Sequence, residues 1–474
     1  MSKLKVLMVS AEVDPFAKTG GLGDVVGSLP KALNLIEVNT RVIMPLYGTI
    51  AEQYRNKMNY LGYIYINLGW RHQYCGIFSL NFKGVFYYFI DNEYYFKRGK
   101  LYDDFDLEKF SFLSIAAFEV AKYVHFKPNV FHIHDWHTGA IAALFNDYYQ
   151  QDEFFKGCKC VYTIHNLAYQ GIYPKNQVLD LLPLASYKYE NTETINFMAL
   201  GIQYANKVTT VSPTYANEIL TDQYGEGLQY LLNHEKNKLV GILNGIDNNI
   251  YNPKIDNLIL YNYDQTDYKN GKLRNKIALY NEIHFEDKNA DEPLIAVISR
   301  LASQKGMSLL LEILEKLITN HSVKIVLLGS GDIHLEHSFA QLSQRYPRQF
   351  KAILKFDNVL AHKIYASSDL FLMPSAFEPC GLAQMICLKY GTLPLVRSCG
   401  GLKDSIIPFN EYTLQGNGFS FENYNANDFY HTICYALSVY NRKELWAKVI
   451  ENGFQCDFSW KKSAQNYKVL YENL

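Results

Sequence analysis

Two hydrophobic spacings alternate along the first half of the chain. Short segments rich in apolar and β-branched residues, at Leu4–Val9, Thr40–Met44, Val85–Ile90, Val130–His134, Lys159–Thr163, Lys207–Val211 and Val240–Leu243, have the length of strands, and Leu4–Val9 reads as an apolar one. Glu108–Val124 and His137–Tyr149 instead repeat apolar residues at helical spacing. Strands alternating with helices predict a parallel sheet with helices on its faces. An Asn- and Asp-rich stretch, Asn244 to Lys272, interrupts the rhythm and reads as a linker region. The alternation resumes with strands predicted at Leu294–Ile298, Lys324–Leu328, Lys351–Lys355, Leu370–Met373 and Pro394–Val396, and the segment Phe458 to Leu474 reads as an amphipathic helix. The pattern predicts an α/β protein of two doubly wound, Rossmann-like halves: residues 1–243, a linker region 244–293, a second half 294–457, and a final helix 458–474. No internal repeat or low-complexity tract breaks this organisation.

Polar residues cluster just past the predicted strand ends, where ligands bind in open α/β sheets. Leu4–Val9 leads into KTGGLGD, in which Gly20 and Gly21 can shape a backbone nest for a phosphate or a sugar, with Lys18 on its lip; an ordinary glycine-rich turn is the plainer reading. Arg300 and Lys305 follow the strand at Leu294–Ile298. Two cations in one short loop suit a diphosphate, Arg as a fork and Lys as a point charge, although such pairs are often only solvated. Gly329 opens another strand-to-glycine turn. The densest segment is Pro374 to Asp404. Here Glu378 precedes Pro379, Cys380, Gly381 and Leu382, and the double glycine Gly400–Gly401 closes the stretch. A carboxylate beside main-chain N–H groups can grip sugar hydroxyls while the amides face an anion, or it can simply cap a helix.

Composition narrows the classes. With 474 residues the chain holds two or three domains' worth of core. A net charge of −1 argues against nucleic acid or an anionic membrane as partner, so any anion site must be local. No stretch is long enough to span a bilayer, and the first apolar run, interrupted by Glu12, is too short for a signal segment. Eight cysteines without a secretory signal imply free thiols in a reducing, cytoplasmic setting, with Cys380 a small packing residue and not a nucleophile. The 38 tyrosines are expected mostly in the core or half-buried at the surface, with some available to stack on sugars.

His132, His134, Asp135 and His137 offer side chains that a metal could use, with a structural cluster as the alternative. Other nucleotide folds fit poorly. GSGDIH has His334 where a dinucleotide fingerprint needs its third glycine, and both Gly-Lys pairs are followed by Leu and not Ser or Thr.

Seven motifs in order, KTGGLGDVVGSLPKAL, HIHDWHTG, YTIHNLAYQG, VTTVSPTYANEI, GILNGID, SRLASQKG and FEPCGLAQM, make the chain resemble the bacterial glycogen synthase and plant starch synthase family from Val6 to Tyr471. The resemblance implies the GT-B architecture, with two Rossmann-like domains facing a cleft and the last helix crossing back to the first. It implies transfer of glucose, with retained configuration, from ADP-glucose (UDP-glucose being the alternative) to the non-reducing end of glycogen or another α-1,4-glucan. It implies no metal and no other cofactor.

On that resemblance Asp135 and His165 line the reacting sugars, and Arg300 and Lys305 stabilise the leaving diphosphate. Glu378 holds glucose hydroxyls. Lys18, Gly20, Gly21, Asn244, Gly329, Cys380, Gly381, Leu382, Gly400 and Gly401 contribute to substrate binding. Some positions depart from the family pattern: Tyr251 stands where Trp is common, Ala199 where Lys is, Cys399 where Thr is, and Gly227–Tyr230 lacks an Asp-Gly. A silent glucan-binding homologue and a glycan phosphorylase are the competing readings. The intact Lys18, Arg300, Lys305 and Glu378 argue against the first, and a phosphorylase needs a pyridoxal phosphate site and a longer chain.

Overall fold

The computed structural model describes residues 3–474. The chain forms two compact units. The first runs to Asn244 and takes back Trp460–Leu474; the second is Gly245–Ser459.

The first unit is built on a nine-stranded sheet of β1 (Lys5–Val9), β2 (Asn39–Pro45), β3 (Asn59–Leu68), β4 (Arg71–Phe82), β5 (Val85–Asp91), β6 (Val130–His134), β7 (Lys159–Ile164), β10 (Lys207–Thr210) and β11 (Leu239–Gly241), while β8 (Ile172–Pro174) and β9 (Thr194–Asn196) pair separately. The sheet order is β11-β10-β7-β6-β1-β2-β5-β4-β3. Its members from β11 to β5 are parallel; β4 and β3 run antiparallel as a hairpin at one edge. The central strands Val6–Val9 and Val130–His134 are fully buried; the first is a continuous apolar run, and the second buries His132 and His134 with its apolar residues. Helices Asp106–Tyr123 and Trp136–Asp147 lie close to the predicted spans.

The second unit holds six parallel strands, β12 (Leu294–Ile298), β13 (Lys324–Leu328), β14 (Phe350–Ile353), β15 (Leu370–Met373), β16 (Leu393–Arg397) and β17 (Phe419–Phe421), in the order β14-β13-β12-β15-β16-β17. The polar stretch after Asn244 is ordered into this unit. Asp256 is buried there, bonded to His362 Nδ1 at 2.7 Å and Tyr390 hydroxyl at 2.6 Å. Helix Tyr268–Glu282 buries Lys272, which donates to Tyr390 O and Thr392 Oγ1.

The return to the first unit is helix Trp460–Glu472, which buries Tyr467 and Tyr471. Tyr471 hydroxyl reaches His132 Nδ1 at 2.7 Å, and Ser463 Oγ donates to Leu243 O at 2.7 Å. Among the described residues, no helix is long and apolar enough to cross a membrane. As expected, most of the tyrosines are buried or half-buried, and Tyr60, Tyr63 and Tyr65 are among those that stand more than half exposed, all three on β3.

Candidate active site

In a parallel sheet every strand ends at the same edge, and the crevice lies where the strand order reverses. In the second unit that reversal falls between β12 and β15. Arg300 and Lys305 follow β12, Glu378 follows β15, Gly329 follows β13, and Gly400 and Gly401 follow β16. The topology thus gathers residues far apart in sequence at one edge.

Lys305 Nζ lies 2.5 Å from Glu378 Oε2, and Ser375 Oγ donates to the same oxygen at 3.3 Å. Glu378 is buried whereas Arg300 is exposed. A buried carboxylate is costly unless paired, so Lys305 both neutralises Glu378 and fixes its direction. Two glycines allow the loops to close. A Cβ on Gly306, whose φ is 71°, would stand 1.9 Å from Pro374 O; one on Gly400, with φ 43°, would stand 2.0 Å from Glu378 O. Gly401 N–H donates to Glu378 O at 3.2 Å, tying the double-glycine turn to the carboxylate's own backbone. Cys380 is buried, and Gly381 and Leu382 precede the short helix Ala383–Lys389.

The first unit reverses its order between β1 and β6. The loop after β1 carries Glu12, Lys18 and Gly20; the loop after β6 carries Asp135. Asp135 has φ 54° and ψ −179°, a backbone region rarely entered by a side-chain-bearing residue. Its Oδ1 accepts the His165 N–H at 2.7 Å and the Asn166 N–H at 3.4 Å. Burial outweighs those bonds and pushes its carboxyl up to about 7.

The imidazoles are shifted the other way. Burial holds His132, His137 and His165 down to about 3, and His134 well below its ordinary range. All four are therefore neutral at pH 7. His134 Nδ1 meets His165 Nε2 at 3.1 Å, and His132 Nε2 meets Thr163 Oγ1 at 2.6 Å. His132 spends both nitrogens on hydroxyls, those of Thr163 and Tyr471, and His134 and His165 share one contact, while His134 Nε2 and His137 Nδ1 are buried with no partner among the described residues. Among the described residues no group of three or more His, Cys, Asp or Glu side chains is arranged to hold a metal ion.

The glycine loop is organised by a residue that the sequence reading passed over. Glu12, itself buried, accepts from Thr19 N at 2.6 Å, Thr19 Oγ1 at 2.6 Å, Gly20 N at 3.1 Å and the Tyr102 hydroxyl. The Gly20 amide, expected to face a ligand, is thus turned onto a carboxylate. Lys18 pairs with Asp24 and lies 3.9 Å from Asp14. Tyr102 in turn stacks on His137 with ring centroids 5.0 Å apart, linking this loop to the Asp135 helix. The one signal available in sequence was a lone carboxylate between an apolar strand and the KTGG turn. Asn244 is buried, with its amide oxygen unpartnered.

Known proteins resemble the chain along its whole length. The starch synthase catalytic domain family matches residues 5–234, and glycosyl transferases group 1 matches residues 281–455. Glycogen synthase of Clostridium kluyveri is 45% identical, covering 99% of this chain and 100% of its own. That of Desulforamulus reducens is 46% identical, covering 99% of each. The catalytic domain of starch synthase IV from Arabidopsis thaliana, solved with ADP and acarbose bound, superposes with a TM-score of 0.92 at 33% identity, covering 100% of this chain and 99% of that one. Sucrose-phosphate synthase from Thermosynechococcus elongatus, with a TM-score of 0.61 at 17% identity over 99% of each chain, shares the fold.

Proposed function

We propose, for a chain that belongs to the glycogen synthase and starch synthase family of glycosyltransferases, that the donor is ADP-glucose and that the residues gathered at the two strand-end edges carry the transfer. The reaction is glucosyl transfer from a nucleotide sugar to the non-reducing end of an α-1,4-glucan, with configuration retained. The bond from glucose C1 to the β-phosphate oxygen breaks, and a bond from C1 to the acceptor 4-oxygen forms. The acceptor's proton leaves with the departing phosphate.

Charge grows on the diphosphate as it departs, so fixed cations lower the barrier more than they tighten binding. Arg300 and Lys305 fill that role. Glu378, aligned by Lys305, accepts hydroxyls of the donor glucose. The backbone around Cys380, Gly381, Leu382, Gly400, Gly401 and Gly329 serves the nucleotide diphosphate. In the first unit, Asp135 and His165 serve the sugars at the reacting carbon, joined by Lys18, Gly21 and Asn244, while Gly20 holds the loop to Glu12. The observation that carries this assignment is the Lys305–Glu378 pair of 2.5 Å at the reversal of strand order. ADP in the starch synthase IV structure supports adenine over uracil as the donor base. A nucleotide-sugar donor and glycogen as acceptor fit a cytoplasmic setting.

The test is nucleotide release from ADP-glucose and UDP-glucose, each with and without glycogen. Glycogen-dependent release of ADP is expected. Release only from UDP-glucose would overturn the donor, and glycogen binding without release from either would leave a silent binding homologue.

A further inference from the structure

Gln384 is fully buried, and none of the roles assigned above uses it. Its carboxamide nitrogen lies 3.1 Å from both Cys380 O and Gly381 O and 3.0 Å from Ser405 Oγ. The two carbonyls can only accept, so the nitrogen end of the carboxamide must face them. The oxygen end, Oε1, is buried with no partner among the described residues. A buried oxygen left unsatisfied costs stability, so packing alone does not account for Gln at this position.

A trans peptide carries its C=O and its N–H on opposite sides. With the Cys380 carbonyl turned onto Gln384, the Gly381 N–H of the same peptide points away from it. The Gly381 carbonyl does the same for the Leu382 N–H. Among the described residues neither N–H has a protein acceptor, and both residues are half-buried. Gly381 adopts φ 70°, and a Cβ there would stand 2.7 Å from Gln384 Oε1 and 3.2 Å from Glu378 Cγ. The turn is thus held between Gln384 and the carboxylate that pairs with Lys305. Ser405 extends the brace. Its Oγ donates to Gly401 O at 2.6 Å, and Asn417 Nδ2 donates to Ser405 O at 3.0 Å. One buried chain of polar side chains therefore fastens both glycine turns, and a Cβ on Gly401 would stand 2.3 Å from Cys380 O.

We propose that Gln384 is a positioning residue for the leaving group: it turns two peptides so that the Gly381 and Leu382 amides face the diphosphate. The inference rests on the reading above that this backbone serves the nucleotide diphosphate. Amides fixed in advance toward growing negative charge need no reorganisation as the bond breaks. Glycine permits either orientation of its peptides, so the choice falls to Gln384. Without the carboxamide the two carbonyls can rotate outward and present oxygen to the phosphates.

Gln384→Met keeps the length of the side chain and removes the donor. Its kcat is expected to fall about 100-fold, with KM for glycogen within about twofold of wild type. Its affinity for ADP should fall about tenfold while its affinity for adenosine stays that of wild type, since adenosine offers the amides no phosphate. Gln384→Glu gives a second readout. A protonated carboxyl can donate to a carbonyl and an ionised one cannot, so its kcat relative to wild type should fall as pH rises from about 6 to about 9. Unchanged kcat and ADP affinity in Gln384→Met would overturn the proposal, as would equal losses with ADP and adenosine. If Gln384→Met does not fold, a flat ratio of Gln384→Glu to wild type across that pH range overturns it alone. Wild type that binds no ADP and releases none from ADP-glucose would instead sink the nucleotide-diphosphate reading itself.

Discussion

Glu12 offers the sharpest separation between a structural and a chemical account of the glycine loop. In Glu12→Ala the Thr19 and Tyr102 hydroxyls can turn to other partners, but the Thr19 and Gly20 amides cannot. They sit 2.6 and 3.1 Å from the carboxylate oxygen that would be lost. An orphaned buried donor costs about 1–3 kcal/mol, and the two together, part-buried and open to some water, should cost about 2–4 kcal/mol. Glu12→Gln can direct its carbonyl oxygen at those amides and its amide group at the two hydroxyls. It keeps every contact and loses only the charge assistance, worth about 1 kcal/mol. Urea unfolding at neutral pH, paired with turnover on ADP-glucose and glycogen, reads both consequences. Ala should lose more than about tenfold in kcat, because the loop carrying Lys18 loosens, and Gln should stay within about threefold. Ala within about 0.5 kcal/mol of wild-type stability, with turnover within about twofold, would refute the reasoning. Gln as damaged as Ala would show that the charge, and not the bonding pattern, is what the loop requires.

Two further outcomes follow from the geometry. Arg300→Ala should lower kcat by roughly 30- to 1,000-fold, the equivalent of about 2–4 kcal/mol of leaving-group stabilisation, with unchanged unfolding because Arg300 is exposed; Lys305→Ala should lose similar turnover and also stability, since it strands the buried Glu378, and wild-type turnover in both would refute the assignment. Asp135, held up to about 7 by burial, keeps a proton in the folded state that the unfolded chain releases near pH 4. Stability from this group is therefore full below about pH 4 and is lost as pH rises through 7. Asp135→Asn should flatten that slope, recovering about 2–4 kcal/mol at pH 8 by urea unfolding, and an unchanged slope would count against the shift.

The central strands were readable because burial on both faces leaves an uninterrupted apolar run, as at Leu4–Val9 and Leu294–Ile298. The β3–β4 hairpin was not, for a chemical reason. Its outward positions carry tyrosine, which counts as apolar, so the in–out alternation of Tyr63-Ile64-Tyr65-Ile66 is invisible to hydrophobicity. In the site, the charged residues themselves were legible from motif order, yet their partners were not. Lys305 finds Glu378 across 73 positions, and Glu12 meets Tyr102 across 90, separations set by strand order. Local spacing likewise gave no hint that the Gly20 amide faces inward to Glu12, since a glycine nest and a carboxylate-pinned turn have the same sequence.

The chain leaves the first unit at Asn244 and re-enters it at Trp460 through neighbouring segments, for Ile246 N–H donates to Phe458 O at 2.8 Å. During synthesis this makes the first unit wait. Its helix Trp460–Glu472, which supplies Tyr471 to buried His132, leaves the ribosome only after all of Gly245–Ser459 has been made. At about 5–20 residues per second, that is roughly 10–40 seconds in which the His132 side of the sheet stands uncovered beside a nascent second unit. Chaperone dependence in this protein should therefore fall on the older half of the chain, the reverse of what N-to-C order alone would suggest.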